Sequence, residues 1–93
     1  MPSVSATPRS HLTHAAVTMG LAAAVIKTAD TDRFGIAVFN LGAETIYLGK
    51  DNTVTTANGF PLLSNTGIYF DGYTGALWGI SGTAGQDVRY LEV

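Results

Sequence analysis

A chain of 93 residues, 46% of them hydrophobic and only 13% charged, with a net charge of −2, has room for one domain with a modest core of its own. The absence of cysteine excludes disulfides, thiolate metal sites and cysteine nucleophiles together. Five Lys and Arg, scattered at Arg9, Lys27, Arg33, Lys50 and Arg89, are too few to neutralise a run of phosphates, so nucleic acid is not an expected partner.

Residues 1–14 are rich in Ser, Thr and Pro and have no apolar period. Pro2 and Pro8 bias the stretch to extended backbone, which leaves a disordered tail or an arm that orders on a partner. It has no basic head followed by an apolar block, so no secretory signal is expected. No segment reaches the ~18–20 apolar residues of a membrane helix, and no membrane partner is expected. The chain is expected to be made in a cytoplasm and to fold without redox help. In Ala15–Ala29, Leu21–Ala24 favours helix by propensity, but Val17, Thr18, Val25 and Ile26 are β-branched and Gly20 splits the stretch. The expectation is two strands with a turn near Gly20.

Asp30-Thr31-Asp32 reads as a turn whose short carboxylates bond nearby backbone N–H groups. Arg33–Asn40 alternates Phe34, Ile36 and Val38 with Gly35, Ala37 and Phe39. Both faces are apolar, which marks a central strand or a subunit contact on the second face. Glu44–Gly49 places Ile46 and Leu48 opposite Thr45 and Tyr47. Thr53–Thr56 reads as a short edge strand, and Asn58-Gly59 as a turn closed by Pro61. Gly67–Asp71, Ala76–Ser81 and Asp87–Val93 supply three further strands between glycine-marked turns. Seven to eight short strands at this spacing predict an all-β fold, a small antiparallel β-sandwich or jelly-roll-like barrel over residues 15–93, preceded by the extended arm 1–14.

Catalytic constellations do not assemble along the sequence. His11 and His14 both lie in the least constrained segment, with no third ligand nearby for zinc. Most of Asp30, Asp32, Glu44, Asp51, Asp71, Asp87 and Glu92 sit at turns, where Asp is favoured for backbone reasons alone. The expectation is no enzyme, no metal and no cofactor. The aromatics offer one alternative, a platform for sugar rings drawn from Trp78, Tyr47, Tyr69, Tyr73 and Tyr90, of which Tyr73, flanked by glycines, is the one expected to be exposed. The competing reading of Trp78, Tyr47 and Tyr69 is as core or cross-strand partners.

With this pattern laid out, Thr31-Asp32-Arg33-Phe34-Gly35-Ile36-Ala37-Val38-Phe39-Asn40-Leu41-Gly42, followed by Ile46-Tyr47-Leu48-Gly49, resembles a motif of small structural proteins of tailed bacteriophages. Val54-Thr55-Thr56-Ala57-Asn58-Gly59-Phe60-Pro61-Leu62 is similar to its continuation, and Leu77–Val93 to the closing hairpin of those proteins. The resemblance covers about residues 15–93. It implies a virion component, most like a capsid decoration (cement) protein on the outer capsid surface, with the major capsid protein as partner. The alternative within the same family is a carbohydrate-binding module of a head fibre or tail. A closed homo-oligomer, a trimer first, would hide strand edges. The implied capsid or subunit contacts are Pro2, Val4, Pro8, Arg9 (the arm's charged anchor), His11 and Phe39; the sugar alternative would use Tyr73 and Trp78.

Overall fold

A computed structural model describes residues 11–93, which form eight strands: β1 (Thr13–Met19), β2 (Ala24–Lys27), β3 (Gly35–Asn40), β4 (Ile46–Gly49), β5 (Phe60–Leu62), β6 (Gly67–Asp71), β7 (Leu77–Ser81) and β8 (Gln86–Glu92). They make two four-stranded antiparallel sheets of order β1-β8-β3-β6 and β2-β7-β4-β5. Every connection crosses from one sheet to the other except that from β4 to β5. The pairs β1·β8, β2·β7, β3·β6 and β4·β5 are those of one long hairpin, with its tip between β4 and β5, rolled into a sandwich. This is the jelly-roll winding. Among the described residues no helix is long and apolar enough to cross a membrane.

Alternation explains the layers. Ile36 and Val38 of β3, Ile46 and Leu48 of β4, Leu77 of β7 and Val88 of β8 point between the sheets, joined by Met19, Ile26 and Leu62. β3 lies between β8 and β6, as its two apolar faces imply. Gly79 faces this core, where a Cβ would press on the Met19 sulfur and on the ends of Ile26 and Ile46 at 3.0–3.3 Å. In β2 the register shifts between Val25 and Lys27. The bulge sets Ile26 and Lys27 both inward, because two residues there oppose one.

Several expectations need correction. The arm boundary falls earlier than residue 14, since Thr13 and His14 open β1 and pair with Glu92 and Leu91. Pro2, Val4, Pro8 and Arg9 lie outside the described residues. β7 and β8 sit in different sheets, so Leu77–Val93 is not a hairpin. Thr53–Thr56 is not a strand: Val54 is buried against Gly49 and Gly59, where a Cβ on either glycine would collide with it. Asn58 holds this loop by accepting from the Thr55 N–H at 2.7 Å and donating to the Thr53 carbonyl at 3.2 Å. Pro61, expected to close a turn, instead pairs with Tyr47 in β5. β5 is an edge strand, where the N–H that proline lacks is not needed for the ladder.

Asn40 ends β3 with its polar groups occupied, although it is fully buried. Its side-chain amide donates to the carbonyls of Glu44 and Leu62 at 2.8 and 2.9 Å, and its Oδ1 accepts from the Gly42 N–H at 2.8 Å. Its backbone N–H donates to the Thr66 carbonyl, and its carbonyl accepts from the Asn65 N–H. One side chain thereby fixes the crossing from β3 to β4 and the approach to β6. Asn40→Ala orphans an N–H and two carbonyls in a dry site and is expected to cost about 2–4 kcal/mol in urea denaturation. A loss within the noise of the measurement would show that the loops hold themselves.

Candidate functional site

The outer face of the β1-β8-β3-β6 sheet is built by the residues that alternate away from the core. Phe39 of β3, Tyr69 of β6 and Leu91 of β8 are 40%, 51% and 41% exposed. They surround a shallow hollow of about 410 Å³, floored by Ala37 and Gly67 and bordered by Arg89. The two rings are seated reciprocally. A Cβ on Gly35 would overlap the Tyr69 hydroxyl and ring, and one on Gly67 would meet the Phe39 ring at 2.8 Å. The aromatic of each strand thus lies over the glycine of the other. The register makes this possible by pairing Ala37 with Tyr69 and Phe39 with Gly67. Rings held flat in this way present apolar area without side-chain freedom to lose on contact.

Polar groups rim the hollow. On β8, Arg89 Nε and Nη2 donate to the two carboxylate oxygens of Asp87 at 3.0 and 2.9 Å. These hydrogen bonds hold the Asp87 carboxyl below its ordinary value and raise Arg89. His14 stands outward on β1, opposite Leu91.

A second cluster closes one end of the sandwich. Arg33 and Glu92 are buried, with Arg33 Nε donating to Glu92 Oε2 at 2.8 Å. The other guanidinium nitrogens donate to backbone: Nη1 to the Tyr73 and Gly75 carbonyls at 3.2 and 2.9 Å, and Nη2 to the Thr28 carbonyl at 2.6 Å. Glu92 Oε1 faces His11 Nε2 at 3.5 Å and Lys27 Nζ at 3.9 Å, and Asp30 Oδ2 lies 3.9 Å from His11 Nε2. Lys27 also sits over the Tyr90 ring, 5.6 Å from its centroid. Asp30 caps its turn as expected, its Oδ1 accepting from the Asp32 N–H at 2.9 Å.

Of the residues singled out from sequence, Phe39 lies on the outer face. His11 is not in a loose segment; it is half-buried against Glu92 and Asp30. Tyr73 is half-buried rather than exposed: its hydroxyl donates to the Ala76 carbonyl at 2.6 Å and its ring packs on Phe70 and the core. Trp78 alternates outward on β7, in the other sheet, beside Val25 and Gly49. Tyr73 and Trp78 therefore do not share a sugar platform. Sequence reasoning missed Tyr69 and Leu91 as partners of Phe39, for which the signal was the Gly-x-x-x-aromatic spacing of Gly35 and Phe39 beside Gly67-x-Tyr69. It also missed the joining of His11, Asp30 and Glu92, which no local spacing reveals.

Comparison of the chain with protein-family models, with curated proteins and with solved structures found no match.

The Asp87 carboxyl, held down by Arg89, is expected to titrate below the ordinary aspartate range when followed by carboxyl-carbon NMR, and Arg89→Ala returns it upward. A depressed carboxyl stabilises the folded chain above its ordinary titration range, and that contribution fades as pH falls through the depressed value. A titration midpoint unmoved by Arg89→Ala would mean that the pair does not persist in solution.

Proposed function

We propose that the protein is a structural component of a tailed-phage virion, which binds the outside of the capsid and stabilises it by bridging capsomers. It works through contact area, without turnover. The observation that carries this reading is the preorganised apolar face made by Phe39, Tyr69 and Leu91. Contiguous exposed apolar groups with a polar rim are the usual mark of a protein contact. The resemblance of the Arg33–Gly49 stretch to phage structural proteins supplies the shell as the partner. The eight-stranded jelly roll serves capsid and lectin domains alike, so topology does not choose between the shell and the sugar. The separation of Tyr73 from Trp78 favours the shell.

A decoration protein needs no tight single site. Many copies, each held weakly but at high effective concentration, resist loss together. The sheet edges at β1, β6, β2 and β5 support assembly into a closed ring, with a trimer as the favoured form. Exposed Phe60 of β5 and Leu63 just after it add apolar area at one of those edges.

Co-sedimentation with undecorated capsids tests the reading. Phe39→Asp and Leu91→Asp, both at exposed positions, are expected to leave the fold intact and to weaken attachment by about tenfold or more, as loss of an interface anchor does. A wild-type chain that never sediments with any shell, or variants that attach as well as the parent, would overturn it.

A further inference from the structure

We infer that His11, Asp30 and Glu92 form a binding site for a divalent transition-metal ion of the zinc type, which ties the N-terminal segment to the last strand. Each residue comes from a different part of the chain: His11 just precedes β1, Asp30 lies in the turn between β2 and β3, and Glu92 ends β8. Their donor atoms all lie within 4.8 Å of one another. His11 Nε2 lies 3.5 Å from Glu92 Oε1 and 3.9 Å from Asp30 Oδ2. Metal–ligand bonds of about 2.0–2.2 Å in a tetrahedral array place neighbouring ligands roughly 3.3–3.6 Å apart, so the spacing is close to that of a chelate.

Two further observations point to a ligand. His11 Nε2 is shielded from solvent and has no hydrogen-bond partner among the described residues. A buried ring nitrogen without a partner is unusual in a folded chain. Glu92, 1% exposed, has one oxygen committed to Arg33 and turns the other toward His11. Arg33 thereby orients the carboxylate as an outer partner does in metal sites. One imidazole with two carboxylates suits zinc better than the all-oxygen sets preferred by calcium. Three protein ligands leave a fourth position for water or for a group on a neighbouring molecule.

Lys27 Nζ, 3.9 Å from the same Glu92 oxygen, opposes a cation there. Its seat on the Tyr90 ring gives the ammonium a place to withdraw to. Removing Lys27 should therefore tighten metal binding rather than abolish it.

The test uses the full chain, freed of metal with a chelator and titrated with zinc in a calorimeter, with thermal unfolding followed in parallel. The expected result is one zinc ion per chain and a higher unfolding temperature with zinc than with chelator. His11→Ala and Asp30→Asn, both at partly exposed positions, should fold and lose at least about tenfold in affinity. Lys27→Met should bind more tightly, and His14→Ala, on the outer face, should bind as the parent does. No uptake by the parent would overturn the proposal. So would His11→Ala binding with parental affinity, or loss of binding in His14→Ala alone. Capsid attachment is a separate readout, so either idea can fail without the other.

Discussion

Arg33 holds three backbone carbonyls, from two separate connections, and one carboxylate at once, and the arrangement of the sandwich around it follows from that. Its guanidinium reaches the Thr28 carbonyl before β3, the Tyr73 and Gly75 carbonyls between β6 and β7, and Glu92 at the end of β8. Those segments lead into or belong to both sheets, so one planar cation stitches the layers at this end. Lysine could not replace it, because a point charge has neither the reach nor the fork of donors that serves separate acceptors. A buried pair of this kind contributes little against an apolar pair of the same shape, but removal of one partner strands the other in a dry site. What it supplies is definition of geometry. The end of β3 pairs with Val93 beside it, where the N–H groups of Phe34 and Gly35 both meet the Val93 carbonyl.

From that pinned end β3 runs to Asn40, which closes the opposite end with a wholly neutral set of hydrogen bonds. A strand fixed at both ends and paired on both sides has no freedom to slip. The outer face depends on this, since one residue of slippage would carry Phe39 into the core and Ile36 out. The reciprocal seating of Phe39 on Gly67 and Tyr69 on Gly35 requires the β3·β6 register to be held to the residue. The proposed docking face is thus a consequence of two polar anchors that are themselves buried. The proposed metal site draws on the same anchor, because the carboxylate that would ligand the ion is the one that Arg33 orients.

Much of this fold is legible in the sequence. Alternation over Ile36, Val38, Ile46 and Leu48 marks the core strands because one face of each is dry and the other wet, and the two-sided apolarity of β3 announces a central position. The turn at Gly20 overrides the helix propensity of Leu21–Ala24, since each half-segment gains more by pairing than by an isolated turn of helix. Other features were hidden for physical reasons. Val54 looks like part of a strand by propensity, yet it is a plug between two glycines. Pro61 looks like a turn residue, yet an edge strand tolerates it. Which strands share a sheet depends on the rolling of a long hairpin, a non-local matter that short-range turn signals do not carry. His11, Asp30 and Glu92 meet for the same reason: β1 pairs with β8 along its whole length and brings the first described residues onto the last ones.

The account rests on the buried Arg33–Glu92 pair acting as the joint that defines the sandwich, and a double-mutant cycle measures this most directly. Urea denaturation of Arg33→Met, Glu92→Met and the doubly substituted chain gives the coupling between the two side chains. Each single substitution is expected to lose about 3–5 kcal/mol, and the double substitution clearly less than their sum, because neither charge is then left stranded. Losses that simply add would mean that the two groups stabilise the fold independently, and the joint described here would not exist.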